Sequence, residues 1–248
     1  MIKKIICIFF SICILTVTVF PLIYIFIGSL NGNGNSYRNL IWDTGYINSL
    51  FNSLVTAFST SIIATIIAAV NGYVISLLSK IKQQIIQYIL LILLVIPFEV
   101  TMLPLYKLVN HIGLYDNIFS VVFVNSFPVL SILYLYYAVQ KIPHEVFEAV
   151  RLETSSTTVL ICNIIVPNIK SGILCVWVIN FANAWNDTTK PLVFLESLES
   201  LPTAVWLNLN TESSLFMAEV FCFTLLPLFL FIVFEDEIVD FFKKYVSI

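Results

Sequence analysis

The sequence predicts an all-α membrane protein with six transmembrane helices, both termini cytoplasmic, and a cytoplasmic helix-turn-helix loop between the fourth and fifth spans. Three observations carry this. Of 248 residues, 59% are hydrophobic and 11% charged, and the mean hydropathy is +0.97. A soluble domain carries about a quarter charged residues. Uncharged apolar stretches recur at the length of about 20 residues that a bilayer requires. One long charged segment, residues 141–171, lies between two of these stretches.

The expected spans are residues 5–28, 52–79, 85–106, 117–140, 170–188 and 215–235, with the loop at 141–169, all within one domain of residues 1–248. The first has no charge from Ile5 to Ile27. Lys3 and Lys4 precede it as they would in a secretory signal, but the apolar run is too long and no small-x-small cleavage site comes before Asn31-Gly-Asn-Gly-Asn. A retained first span is expected.

The second span lies in an uncharged run and contains Asn71, expected to hydrogen-bond to a neighbouring helix. The third contains one acid, Glu99, between Pro97 and Pro104. A charge at the bilayer centre costs roughly 2.5–3.5 kcal/mol, so Glu99 either lines a pathway or is hydrated at the interface. The fourth is uncharged. The fifth ends in Asn183, Trp185, Asn186 and Asp187. That group could stack on a sugar ring and bond its hydroxyls, or form an aromatic belt with a helix cap. The sixth holds Glu219, expected near the interface.

Basic residues orient the chain. With the N-terminus inside, Lys3, Lys4, Lys80, Lys82, Lys141, Arg151, Lys170, Lys243 and Lys244 are cytoplasmic, against Arg38, Lys107 and Lys190 outside. The charged loop is thereby cytoplasmic. Pro143 suits the first turn of a helix. Glu145, Glu148 and Arg151 follow at intervals of three, on one face, and Val146, Ala149, Val150 and Leu152 supply an apolar one. The acids, Glu153 included, favour the positive end of the helix dipole. The run Thr154-Ser-Ser-Thr-Thr interrupts the pattern, and a second helical run, residues 159–166, is expected to end at Pro167. Read on physics alone, the loop is either an interfacial connector or a docking surface for a partner.

The residues of this loop resemble the E-A-A loop of binding-protein-dependent ABC transporter permeases, E-A-A-x-x-D-G-A followed by L-P. Glu148-Ala149-Val150, Glu153-Thr154-Ser155 and Val166-Pro167 match in order, led by Ile142-Pro143-x-Glu145. Further likenesses are Asn48-Ser-Leu, Gly72-Tyr-Val-Ile-Ser, Pro104-Leu-Tyr-Lys-Leu with Gly113-Leu-Tyr-Asp-Asn, and Trp185-Asn186-Asp187 with Pro191-Leu-Val-Phe-Leu. The set is similar to the sugar-uptake branch, in its second maltose-type permease subunit.

The resemblance implies a multi-pass cell-membrane subunit of an ATP-driven importer. Its partners would be a second permease, a cytoplasmic ATPase dimer, an extracytoplasmic substrate-binding protein and membrane lipid, with no nucleic acid. ATP-Mg would bind the ATPase, and this chain would bind no cofactor. Pro143, Glu145, Glu148, Ala149, Val150, Glu153, Thr154 and Pro167 would form the coupling loop, and Glu99, Asn183, Trp185 and Asn186 are the candidate pathway residues.

Thr154 stands where the family has glycine, so a different turn is expected, because a β-branched residue resists positive φ. The family's glycine-rich C-terminal tail is replaced by Glu235-Asp-Glu-Ile-Val-Asp-Phe-Phe-Lys-Lys. Other readings of the same chain are a permease for a polyamine or amino acid, or a membrane interaction protein.

The pattern of polar residues argues against an enzyme. His111 and His144 are isolated on opposite sides, the five cysteines have no paired spacing, and no phosphate-binding glycine loop is present.

Overall fold

The computed structural model describes residues 2–31, 35–143, 145–147, 157–197, 201–209 and 214–243, and no strand occurs among them. The helices are α1 (Ile2–Leu30), α2 (Asn35–Trp42), α3 (Thr44–Ser76), α4 (Lys80–Val95), α5 (Phe98–His111), α6 (Ile118–Asn125) and α7 (Val129–Gln140). After the loop come α8, assembled from Thr157–Leu160, a π-turn Ile161–Ile165 and Val166–Asn168, then α9 (Lys170–Trp185) and α10 (Thr189–Phe194). The last are α11 (Thr203–Leu209), α12 (Ser214–Val233) and α13 (Glu235–Phe241).

Three helices, at Ile8–Leu30, Thr44–Ser76 and Ser214–Val233, are each long and apolar enough to cross a membrane. Three further pairs reach that length only as bent spans: α4 with α5 at 94°, α6 with α7 at 44°, and α8 with α9 at 76°. Among the described residues there are thus three helices of spanning length, or up to six spans if each bent pair counts as one. Many large apolar side chains, such as Phe9, Phe10, Ile92 and Val95, are exposed, as suits a surface facing lipid or partner helices.

The breaks have identifiable causes. Pro97 forces Ile96 into an extended conformation (φ −72°, ψ 116°), so the stretch expected as a third span turns instead of running straight. Pro128, itself outside helical values (φ −87°, ψ 86°), separates α6 from α7. The second run of the loop, expected to end at Pro167, continues through it to Asn168. Proline lacks the donor for an ordinary turn, and the backbone widens just ahead of it, with the Val166 N–H reaching the Ile161 carbonyl. The helix breaks at Ile169 instead (φ −108°, ψ 17°).

α3 is the axis of the fold, about 50 Å long at 1.5 Å per residue. It begins eight residues ahead of the expected span, at Thr44 instead of residue 52. Asp43 caps its N-terminus, the carboxylate accepting the Tyr46 N–H at 3.0 Å. Its buried face is small and repeats at helical spacing through Ser53, Ala57, Ser61, Ala64, Ala68 and Gly72. Such a face lets neighbouring backbones come close, and α7 and α9 pack along it.

At its C-terminal end, Gln83 donates to the Ser76 and Leu78 carbonyls (3.0 and 2.8 Å) and accepts the Tyr136 hydroxyl (3.0 Å). Orphan carbonyls of a helix end are thereby satisfied by a side chain from the next helix. Asn71, expected to bridge helices, instead donates to the Ile67 carbonyl of its own helix at 2.8 Å. The reach of one turn suffices, and no neighbour is needed.

Candidate functional site

At the end of α9 remote from the loop, the chain encloses a polar cleft of about 440 Å³. Its polar lining is Thr60 from α3, Asn125 from α6, Asn180 and Asn183 from α9, Asp187 just beyond α9, and Lys190 from α10. Phe127 and Pro128, at the bend between α6 and α7, complete one wall. Asn183 lies 13 residues beyond Lys170, so it is about 20 Å along the helix axis from the loop end of α9.

Local chemistry holds the cleft's shape. Asp187 accepts the Lys190 backbone N–H (3.2 Å), the Lys190 ammonium (3.1 Å) and the Asn125 amide (3.0 Å). One carboxylate therefore joins α6, α9 and α10. The Lys190 ammonium also lies 5.4 Å from the centre of the Phe98 ring, a cation–π contact to α5. Deeper in, Asn180 accepts the Ser131 hydroxyl at 2.8 Å and donates to Thr65 at 3.4 Å, so α3, α7 and α9 meet at a satisfied polar node. Beyond the cleft, the positive-φ residue Asp116 (φ 56°) accepts the N–H groups of Glu196 and Ser197 at 2.8 and 2.9 Å. That clamp ties the connection between α5 and α6 to the end of α10.

The residues singled out from sequence are dispersed. Asn183 lines the cleft. Trp185 does not: it is 1% exposed and stacks on Phe181 (5.5 Å) and Phe223 (4.8 Å). Its indole N–H donates to the Phe223 carbonyl at 3.2 Å. It therefore serves the core and presents no free face to a sugar, because α12 covers it. Asn186 is exposed and donates back to Ala182 at 2.8 Å, closing the helix end. Glu99 is exposed in the first turn of α5, where its charge suits the helix dipole, and is not part of the cleft wall.

Glu219 is 3% exposed within the helix packing. The Tyr46 hydroxyl bonds its backbone carbonyl at 3.0 Å, and one carboxylate oxygen has no partner.

In the loop, Pro143 and Glu145 are exposed while Ile142 is buried, and Val146 and Phe147 pack against the buried cluster that includes Tyr73, Ala138 and Leu160. Pro167 is exposed at the widened turn. Glu148, Ala149, Val150, Glu153 and Thr154 lie outside the described residues. Sequence reading missed Thr60, Asn125, Asn180 and Lys190 as a group. Asn125 and Asn180 were detectable as lone amides in apolar stretches. Thr60 is one of many small hydroxyls on α3, and nothing in its neighbours distinguishes it.

The sequence profile of the family described as "binding-protein-dependent transport system inner membrane component" matches residues 61–244. Among individual proteins, the chain is 31% identical over 117 residues to a putative ABC transporter permease protein, ORF2, of Caldicellulosiruptor sp. (strain Rt8B.4), covering 46% of this chain and 42% of that one. It is 28% identical over 120 residues to the arabinooligosaccharides transport system permease protein AraQ of Bacillus subtilis (48% and 42% covered). It is 26% identical over 107 residues to the melibiose/raffinose/stachyose import permease protein MelC of the same organism (42% and 39%). These alignments span less than half the length of the curated relatives.

In three dimensions the chain is similar to one in the crystal structure of a bacterial ABC transporter involved in the import of the acidic polysaccharide alginate. The TM-score is 0.82 at 16% identity, over 95% of this chain and 96% of that one. At that identity the likeness is one of fold.

Proposed function

This chain belongs to the family of binding-protein-dependent transport system inner membrane components, and from that premise we propose that it is a permease subunit of an ATP-driven importer for carbohydrate, an oligosaccharide or related solute. It forms half of a translocation pathway with a second permease. A cytoplasmic ATPase dimer supplies the energy, binding ATP-Mg on its own chains, and an extracytoplasmic binding protein delivers the solute. Both termini and the loop at 141–169 face the cytoplasm.

The observation that carries this reading is the profile match over residues 61–244, which contains the whole loop. The names of the sugar permeases among the relatives support the carbohydrate class. Within the loop, Glu148 and Ala149 form the ATPase contact, with Glu145, Val150, Glu153 and Thr154 around them and Pro143 and Pro167 framing the segment. Val146 and Phe147 fix the start of that segment to the helical core, so force applied at the contact reaches α7 and α9.

Purification in mild detergent tests the assembly: an ATPase should accompany the chain. Uptake of labelled oligosaccharide by whole cells tests the coupling. Glu148→Ala with Ala149→Asp should reduce it at least about tenfold, the loss of roughly 1.4 kcal/mol of docking energy. Uptake at the full rate would remove the loop from the coupling role.

A further inference from the structure

We propose that the cleft between α3, α6, α9 and α10 is a solute subsite of this chain itself, built for an uncharged, hydroxyl-rich solute and against a carboxylated one. The inference rests on the carbohydrate reading above and adds to it which chain holds the solute and what charge the solute carries.

Charge decides the selectivity. The cleft contains one acid and one base, Asp187 and Lys190, bonded to each other at 3.1 Å with 9% and 25% of their side chains exposed. The site is polar yet carries no net charge. Asp187 spends its oxygens on Lys190 and Asn125, so it neutralises the only ammonium a carboxylated solute would seek there. A carboxylate entering the cleft would meet Asp187 with no uncompensated cation to offset the repulsion.

Hydrogen-bonding capacity decides the class. Thr60 is 2% exposed, lines the cleft, and its hydroxyl has no partner among the described residues. A buried polar group without a partner is costly and calls for an occupant that supplies one. The Asn183 amide is exposed to the cleft and makes no side-chain hydrogen bond within the described residues. Lys190 carries three N–H donors and gives one to Asp187. Amides, a hydroxyl and a shared ammonium provide both donors and acceptors, the combination that sugar hydroxyls need. The volume, about 440 Å³, is within the range of small-solute pockets. The ring of Trp185, buried under Phe223, plays no part.

The test uses the full chain with the subunits that co-purify, in lipid nanodiscs, and ligand-observed saturation-transfer NMR. The probes are raffinose and arabinotriose as neutral trisaccharides and trimannuronate as the acidic one. The unaltered protein should bind a neutral probe and bind trimannuronate roughly tenfold more weakly or not at all. Asn183→Leu and the isosteric Thr60→Val should each weaken neutral binding by roughly three- to tenfold. Asp187→Asn leaves Lys190 uncompensated and should shift the ratio of acidic to neutral binding upward by about tenfold or more.

A purely structural role for Asp187 would weaken every probe together and leave that ratio unchanged, which overturns the proposal. Equal binding of acidic and neutral probes, or binding of none, overturns it too. Co-purification of the ATPase is scored separately. Its absence alongside intact neutral binding removes the importer reading and leaves the subsite.

Discussion

A Cβ placed on Gly72 would lie 2.7 Å from the backbone nitrogen of Tyr136 and 3.0 Å from the carbonyl carbon of Leu135. α3 and α7 therefore meet backbone to backbone at this point, with no flexible side chain to give way. Gly72→Ala should destabilise the chain by about 1–3 kcal/mol, the usual cost of overpacking, and Gly72→Val by more. Thermal unfolding in detergent would measure both. An unchanged midpoint for Gly72→Ala would mean that the helices separate freely here.

Gln83 gives a second prediction. Its amide serves the Ser76 and Leu78 carbonyls and the Tyr136 hydroxyl, and it is 5% exposed. Gln83→Leu strands the two carbonyls at a cost of about 1–3 kcal/mol for each one left unsatisfied, while the Tyr136 hydroxyl keeps its bond from Gln87 at 2.9 Å. Gln83→Glu should be no better, because a carboxylate cannot donate to the two carbonyls. Denaturation in detergent would show the loss.

Trp185 separates packing from transport. Replacing it with alanine opens a cavity among Phe181, Phe223 and Ala204 and should cost about 3–5 kcal/mol. Trp185→Phe keeps the stacking and loses the N–H bond to Phe223, at about 1 kcal/mol. Both should lower the amount of folded protein, while the concentration of solute giving half-maximal uptake stays the same. A change in that concentration with folded protein constant would return Trp185 to the pathway.

Pro167 sets the widened turn of α8. Pro167→Ala restores a backbone donor, so residues 161–165 can close into ordinary α-helix and rotate the loop relative to α9. Thermal stability should hold or rise while uptake falls, and the pair of measurements distinguishes this from simple unfolding. Uptake and stability falling together would contradict it.

Much of the fold was legible in the chain because it depends on composition and local geometry. A bilayer needs long uncharged runs, and Ile8–Leu30, Thr44–Ser76 and Ser214–Val233 supply them. Pro97, Pro128 and Pro167 mark every bent pair or the turn beside it, since a missing donor acts on its own neighbours. The angles of 94°, 44° and 76° were not legible, because they depend on what each half-helix packs against.

The site was legible only in part, for a similar reason. Asn183 belongs to a motif and lines the cleft. Trp185, two residues on, points nearly to the opposite side of the helix and is covered by α12. Glu219 is buried, and its backbone carbonyl accepts the hydroxyl of Tyr46, 173 positions away, a contact no local pattern announces.

Local chemistry along the chain thus settled the class, the long helices and the family. Tertiary structure alone decided which polar side chains share a cleft. Asn125 and Asp187 are 62 residues apart and meet at 3.0 Å because a small-residue face on α3 lets α7 and α9 close around it. Contacts of that range depend on the packing of three helices at once, and no periodicity within one of them encodes it.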